Sequence, residues 1–204
     1  MTNRFGWAKI LASLSVVAVA ALAPTSASAT IVGGPHDFSG RGWGTNQVCV
    51  FCHAPHNVAI PQLVPLWNHG TSVATFTTYS SDTLNAVPGQ PSSNSRACLS
   101  CHDGTVALDT YGGRTGTNFV TGSRLVGTDI SNDHPVSFLY DAALAAADGG
   151  LVTPASASQV VAGIPLYSGQ LQCASCHSVH DNTNGMFLRA DNAGSALCLR
   201  CHQK

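Results

Sequence analysis

The chain has 204 residues, nine basic and ten acidic side chains and a formal net charge of −1, which is enough for one modest domain or two very small ones. No basic stripe runs along it, so nucleic acid is excluded as a partner; every acidic residue is Asp, and lysine occurs only at Lys9 and Lys204, which excludes a lysine-ringed docking face. Gly, Ser, Thr, Asn and Ala fill much of the rest, a composition that favours turns over long regular elements.

In chain order, Arg4 and Lys9 come first, then the apolar run Ile10 to Ala23, then Ala27-Ser28-Ala29. A basic start, an apolar stretch and a small-x-small site are the order of a secretory signal peptide, predicted over residues 1–29. The run of 14 residues falls short of the roughly 20 that span a bilayer as a helix; an uncleaved anchor is the alternative. No Cys follows it, so there is no lipid-attachment site. Removal of this segment leaves residues 30–204, with seven basic and ten acidic side chains and a net charge of −3. The expected location is the periplasm, the cell surface or the exterior, with no stable membrane span after cleavage.

Ser95 and Ser195 sit where an N-cap would open a short helix. Gly112 to Asn132, rich in Gly, Thr and Asn, reads as connecting loop. Tyr140 to Ala147 reads as a short helix stopped by Gly149-Gly150. Strand signals are brief, as at Gln159 to Ala162. The predicted fold is mostly irregular and loop-rich, with a few short α-helices and little β. Long amphipathic helices are missing, so core volume must be borrowed from something other than side chains.

The eight cysteines supply the candidate. They form four pairs with two residues between: Cys49/Cys52, Cys98/Cys101, Cys173/Cys176 and Cys198/Cys201. Each pair is followed at once by histidine: His53, His102, His177 and His202. Paired cysteines also serve structural zinc, redox dithiols and disulfide scaffolds, but none of these requires that histidine. With nine histidines in 204 residues, four such placements by chance have odds of roughly a few in a million, so the haem-attachment signature is specific here. Its chemistry explains the spacing. Two thiols add to the two vinyl groups of one haem, and the next residue lies under the iron as proximal ligand. The expectation is four haem c groups per chain and a haem-cored multihaem cytochrome.

The motifs repeat in kind. The first half reads Cys49-x-x-Cys52-His53-x-x-His56, then Ser95-x-x-Cys98-Leu99-x-Cys101-His102. The second reads Cys173-x-x-Cys176-His177-x-x-His180, then Ser195-x-x-Cys198-Leu199-x-Cys201-His202. His36 precedes the first half and His134 the second. This self-similarity predicts two two-haem modules, about 30–111 and 133–204, joined by the Gly/Thr-rich loop. Five histidines lie outside the motifs as candidate distal ligands: His36, His56, His69, His134 and His180. Module logic pairs His36 and His56 with the first two haems and His134 and His180 with the last two, in close haem pairs; His69 is the odd one out. After signal removal Met186 is the only methionine, and in Gly185-Met186-Phe187-Leu188 it reads as packing. Bis-histidine ligation is therefore expected, which lowers the reduction potential relative to His/Met. The aromatics Trp43, Trp67, Tyr79, Tyr111, Tyr140 and Tyr167 are read as cover for haem faces rather than as hopping stations.

A catalytic haem needs an exchangeable coordination site. Distal candidates here outnumber the haems by one, and no other catalytic constellation is visible. The sequence therefore predicts an electron carrier without catalytic residues, exchanging electrons with other redox proteins. The alternative is a haem-containing reductase, or a subunit donating to one, with one haem left open.

The segments Cys49 to Asn57, Pro65 to His69, Cys98 to Ala107 and Asp133 to Phe138 resemble bacterial multihaem c-type cytochromes with doubled CXXCH motifs. Among those relatives are tetrahaem surface cytochromes that polymerise into extracellular filaments, one subunit supplying an axial histidine to a haem of the next. The resemblance implies bis-histidine haems in stacked pairs, little regular structure, and self-assembly into a filament as one outcome, with His36 or His69 as candidates to act across a subunit boundary.

Overall fold

The structure is a computed structural model that describes residues 31–56 and 64–203; the predicted signal peptide lies outside the described residues. Regular structure is sparse, as the composition predicts. Helix α1 spans Ser93–His102, α2 spans Ala142–Asp148 and α3 is a single turn, Cys173–Cys176. Four two-residue strands, β1 (Thr77–Thr78), β2 (Asp129–Ile130), β3 (Phe138–Leu139) and β4 (Gln170–Leu171), make two small sheets. β1 and β2 pair parallel, Thr77 beside Asp129, and β3 and β4 pair antiparallel, Phe138 beside Leu171.

The helices form for identifiable local reasons. Asp141 caps α2, its carboxylate accepting the Leu144 N–H at 2.8 Å, and Gly149 ends it in the left-handed region at φ 68°, where a residue without Cβ is unstrained. This is the helix expected at Tyr140 to Ala147, shifted by one or two residues. The two serine caps fall elsewhere. α1 begins at Ser93 with Ser92 as its cap residue, and Ser95 is fully buried within the first turn. Ser195 closes a 3₁₀ turn, Ala193–Ser195, three residues before the last motif.

Two departures concern strands. Gln159 to Ala162 joins no strand. Val160 is fully buried and donates its N–H to the Ile164 carbonyl at 3.0 Å, and Gln159 pairs only with Ser156 and Pro165, so the segment satisfies its backbone locally. The 112–132 connection is loop as expected over most of its length, but its end supplies β2.

Two apolar clusters flank the helices. Phe138, Tyr140, Val160, Ile164, Leu166 and Leu171 form the larger, with Leu197 and Cys201 of the last motif region packed against it. Phe76, Leu99 and Ile130 form the smaller, around the outer face of α1. Each fully buried side chain of this size contributes about 1.5–3 kcal/mol. Two such small clusters leave much of the described part of the chain without an aliphatic core.

Candidate haem centres

The first and third motifs are built alike, by a device that spacing does not show. A segment far along the chain returns beside each motif: Pro65 to Asn68 for the first, Met186 to Arg189 for the third. Ala54 N–H donates to Leu66 O (2.9 Å) and Ser178 N–H to Phe187 O (2.7 Å). Asn68 N–H donates to Cys52 O (2.8 Å) and Arg189 N–H to Cys176 O (2.9 Å). His53 bridges to Trp67, and His177 to Leu188. In both segments the residue bonded back to the motif, Leu66 or Phe187, adopts positive φ (56° and 57°), a conformation that costs a non-glycine residue free energy and clusters at functional sites.

This clasp orients the motif histidines. His53 Nδ1–H donates to the Pro65 carbonyl at 2.8 Å, and His177 Nδ1–H to the Met186 carbonyl at 2.9 Å. His102 does the same to Arg124 O at 2.8 Å. A carbonyl only accepts, so each bond places the ring proton on Nδ1 and leaves the Nε2 lone pair for a metal. His134, outside the motifs, is fixed in the same way by Pro135 O at 2.9 Å.

Three motif histidines face a histidine from outside the motifs. Ring centroids lie 6.1 Å apart for His36 and His102, 6.1 Å for His53 and His180, and 6.3 Å for His134 and His202. Two imidazoles bound on opposite sides of one first-row metal, with metal–nitrogen bonds near 2.0–2.1 Å, have centroids ~6.3 Å apart. The residues present therefore fit an iron between each of these ring pairs. The ring planes differ: 22° apart for His53/His180, but 73° for His36/His102 and 71° for His134/His202.

These placements differ from module logic at His180 and at His56. His180 lies beside His53, across the halves, rather than serving its own half. The turn after the third motif, closed by Asp181 N–H to Ser178 O at 2.9 Å, carries His180 away from the attachment cysteines that precede it. His36 is stacked on Phe187 of the second half, centroids 4.7 Å apart and nearly parallel. His56 is exposed, and among the described residues no ring faces it or His177. His69 is buried, with Nδ1–H donating to Gly70 O at 2.8 Å and Nε2 at 3.5 Å from Cys101 Sγ.

Burial sets the electrostatics. It pushes the His36 imidazole down to about 4, helped by the neighbouring His102 charge, and lowers His180 through burial, then His53, then Arg189. Both rings are thus neutral near pH 7, as a metal ligand must be. Burial raises the thiols of Cys52 and Cys201 to about 11 and of Cys101 to about 12. Cys173 is the exception, held at about 7 chiefly by a hydrogen bond from the Cys98 thiol. The sulfurs feel one another in chain order: Cys52 acts on Cys101, Cys98 pairs with Cys173, and Cys176 acts on Cys201. Trp67 Nε1 is buried without an acceptor among the described residues, a deficit that a bound group would relieve. Among the described residues all eight cysteines are free thiols and no cluster of three or more His, Cys or Asp side chains is arranged to hold a bare metal ion.

Residues 165–204 match the family described as the doubled CXXCH motif. The match covers the third and fourth motifs and supports a multihaem c-type cytochrome, a class that binds haem covalently and works in electron transfer. No curated protein matches the chain. Haem attachment of this type takes place outside the cytoplasm, and among the described residues no helix is long and apolar enough to cross a membrane.

Proposed function

We propose that the protein carries four covalently attached c-type haems, at Cys49/Cys52, Cys98/Cys101, Cys173/Cys176 and Cys198/Cys201, and serves as a periplasmic or extracellular electron carrier. The observation that carries this is the set of three histidine pairs, each joining a motif histidine to a histidine outside the motifs at the spacing of a bis-histidine iron. Haem supplies, when bound, a one-electron iron couple. The thiols would hold it, His53, His102 and His177, each with Nδ1 fixed on a carbonyl, would bind the iron, and His36, His180 and His134 would be its second ligands. Closed positions favour transfer over substrate chemistry.

His177 is the site on which two finer readings divide. In the first, His56 supplies its distal ligand, from the same chain or from a second copy; the exposure of His56 supports it, and a shared ligand would join copies into a filament. In the second, the iron at His177 stays open and binds a small ligand, as in a reductase component. Electronic and resonance Raman spectra of the purified holoprotein separate them: four low-spin haems without added ligand are expected. A high-spin haem that takes up carbon monoxide would defeat the closed-site reading. Electron microscopy of the native protein tests self-assembly, and monodisperse particles would count against the filament.

A further inference from the structure

The step between the second and third attachment sites is where the two halves of the sequence meet, and a buried polar network lies there. Gln172, the residue before Cys173, is fully buried, as are Ser95 and Ser175. Its Oε1 accepts from Ser95 Oγ at 2.5 Å and from Ser137 Oγ at 2.9 Å. Its Nε2 donates to Gln170 Oε1 at 2.9 Å and to Ser92 Oγ at 3.3 Å. Ser95 Oγ in turn accepts the N–H of Cys173 at 2.9 Å. Gln172 also opens α3, its backbone carbonyl taking the Ser175 N–H at 2.8 Å while Ser175 Oγ takes its own N–H at 3.0 Å.

Three of these residues sit one to three positions from an attachment cysteine. Ser95 precedes Cys98 by three in α1, Gln172 adjoins Cys173, and Ser175 lies between Cys173 and Cys176. An apolar contact tolerates sliding; a fully satisfied buried amide does not, because a shift leaves donors and acceptors unpaired at about 1–3 kcal/mol each. The equivalent serine of the second half, Ser195, lies in an exposed 3₁₀ turn, so the network is not a general feature of the repeated motif.

We propose that Gln172, with Ser95, is a positioning lock that fixes the spacing and mutual angle of the haems on the second and third motifs, and so sets the electron-transfer step between the two halves of the chain. The lock has this role only if both groups are attached, as proposed above. Electronic coupling between two such groups falls steeply with separation, so a small slip of α3 along α1 slows that one step and leaves the others untouched.

The test uses the holoprotein and its Gln172→Met and Ser95→Ala variants. Haem-peptide mass spectrometry first checks that residues 98–102 and 173–177 each carry haem; a wild-type protein lacking either would overturn the four-haem reading and the lock with it. Soret circular dichroism then reads dipole coupling between the haems, the part due to this pair being the part lost both in a Cys98→Ala/Cys101→Ala protein and in a Cys173→Ala/Cys176→Ala protein. With four haems retained, Gln172→Met is expected to reduce that component at least twofold, and Ser95→Ala less. A lowered Tm with an unchanged Soret couplet in both variants would make Gln172 merely structural and overturn the proposal. Should Gln172→Met fail to accumulate, the Ser95→Ala couplet decides by the same criterion.

Discussion

Replacement of His180 by alanine discriminates between the order of ligands along the chain and their order in space. His180 lies three residues beyond His177, yet its ring stands 6.1 Å from that of His53, the planes 22° apart. Near-parallel imidazoles split the two iron dπ orbitals and give a rhombic low-spin signal in electron paramagnetic resonance. The pairs at 73° and 71° keep those orbitals close in energy and give a strongly anisotropic signal with a large maximum g value. His180→Ala should therefore convert one haem in four, about a quarter of the low-spin intensity, to high spin. The lost component should be rhombic, and it should belong to the haem on Cys49/Cys52. Adding imidazole should restore it. His180→Met should keep that haem low-spin while raising its potential, within the span of about 0.8 V over which axial ligands tune haem. Loss of an anisotropic signal, or a high-spin haem mapping to Cys173/Cys176, would refute the cross-half pairing.

Other expectations follow from the same geometry. His69→Ala should leave every haem low-spin, because among the described residues its ring faces Trp67 and no motif histidine; a five-coordinate haem in its absorption spectrum would show otherwise. Ile164→Ala removes a fully buried side chain from the larger cluster and should cost about 2–5 kcal/mol, seen as a lowered denaturation midpoint with the haem content intact. Gly116→Ala places a methyl group against the Asp109 carboxyl and 2.7 Å from its backbone carbon. It should cost about 1–3 kcal/mol by dislodging the carboxylate from the Thr117 and Asn118 amides it holds at 3.0 and 2.9 Å. In the haem-free protein, where no iron holds its ring, His36 has a pKa of about 4 in the fold against about 6.5 in an open chain. Its burial thus favours folding fully above pH 6.5, and that contribution fades as the pH falls towards 4; in His36→Phe the stability–pH curve should be flatter across this window.

The sequence by itself determined the attachment chemistry, because covalent attachment demands Cys-x-x-Cys-His in consecutive residues and leaves a local signature. It determined the loop-rich fold as well, since a chain of Gly, Ser, Thr and Asn with no long apolar period has nothing to build long elements from, and the α2 helix was legible from the run Tyr140 to Ala147 and its Gly149-Gly150 stop. What it did not determine were the relations between distant residues. His180 facing His53, the return of Pro65 to Asn68 and of Met186 to Arg189 beside their motifs, and the Gln172 network with Ser95 all join positions 9 to 127 residues apart. No local pattern encodes such contacts. The reading of Ser95 as a cap failed for this reason: a hydroxyl near a helix start has the same propensity whether it caps its own helix or receives the first amide of another. Only the folding of the chain decided which histidine rings come to face one another, because that depends on where a ring comes to rest in space, and the turn after the third motif carries His180 away from its neighbours in sequence.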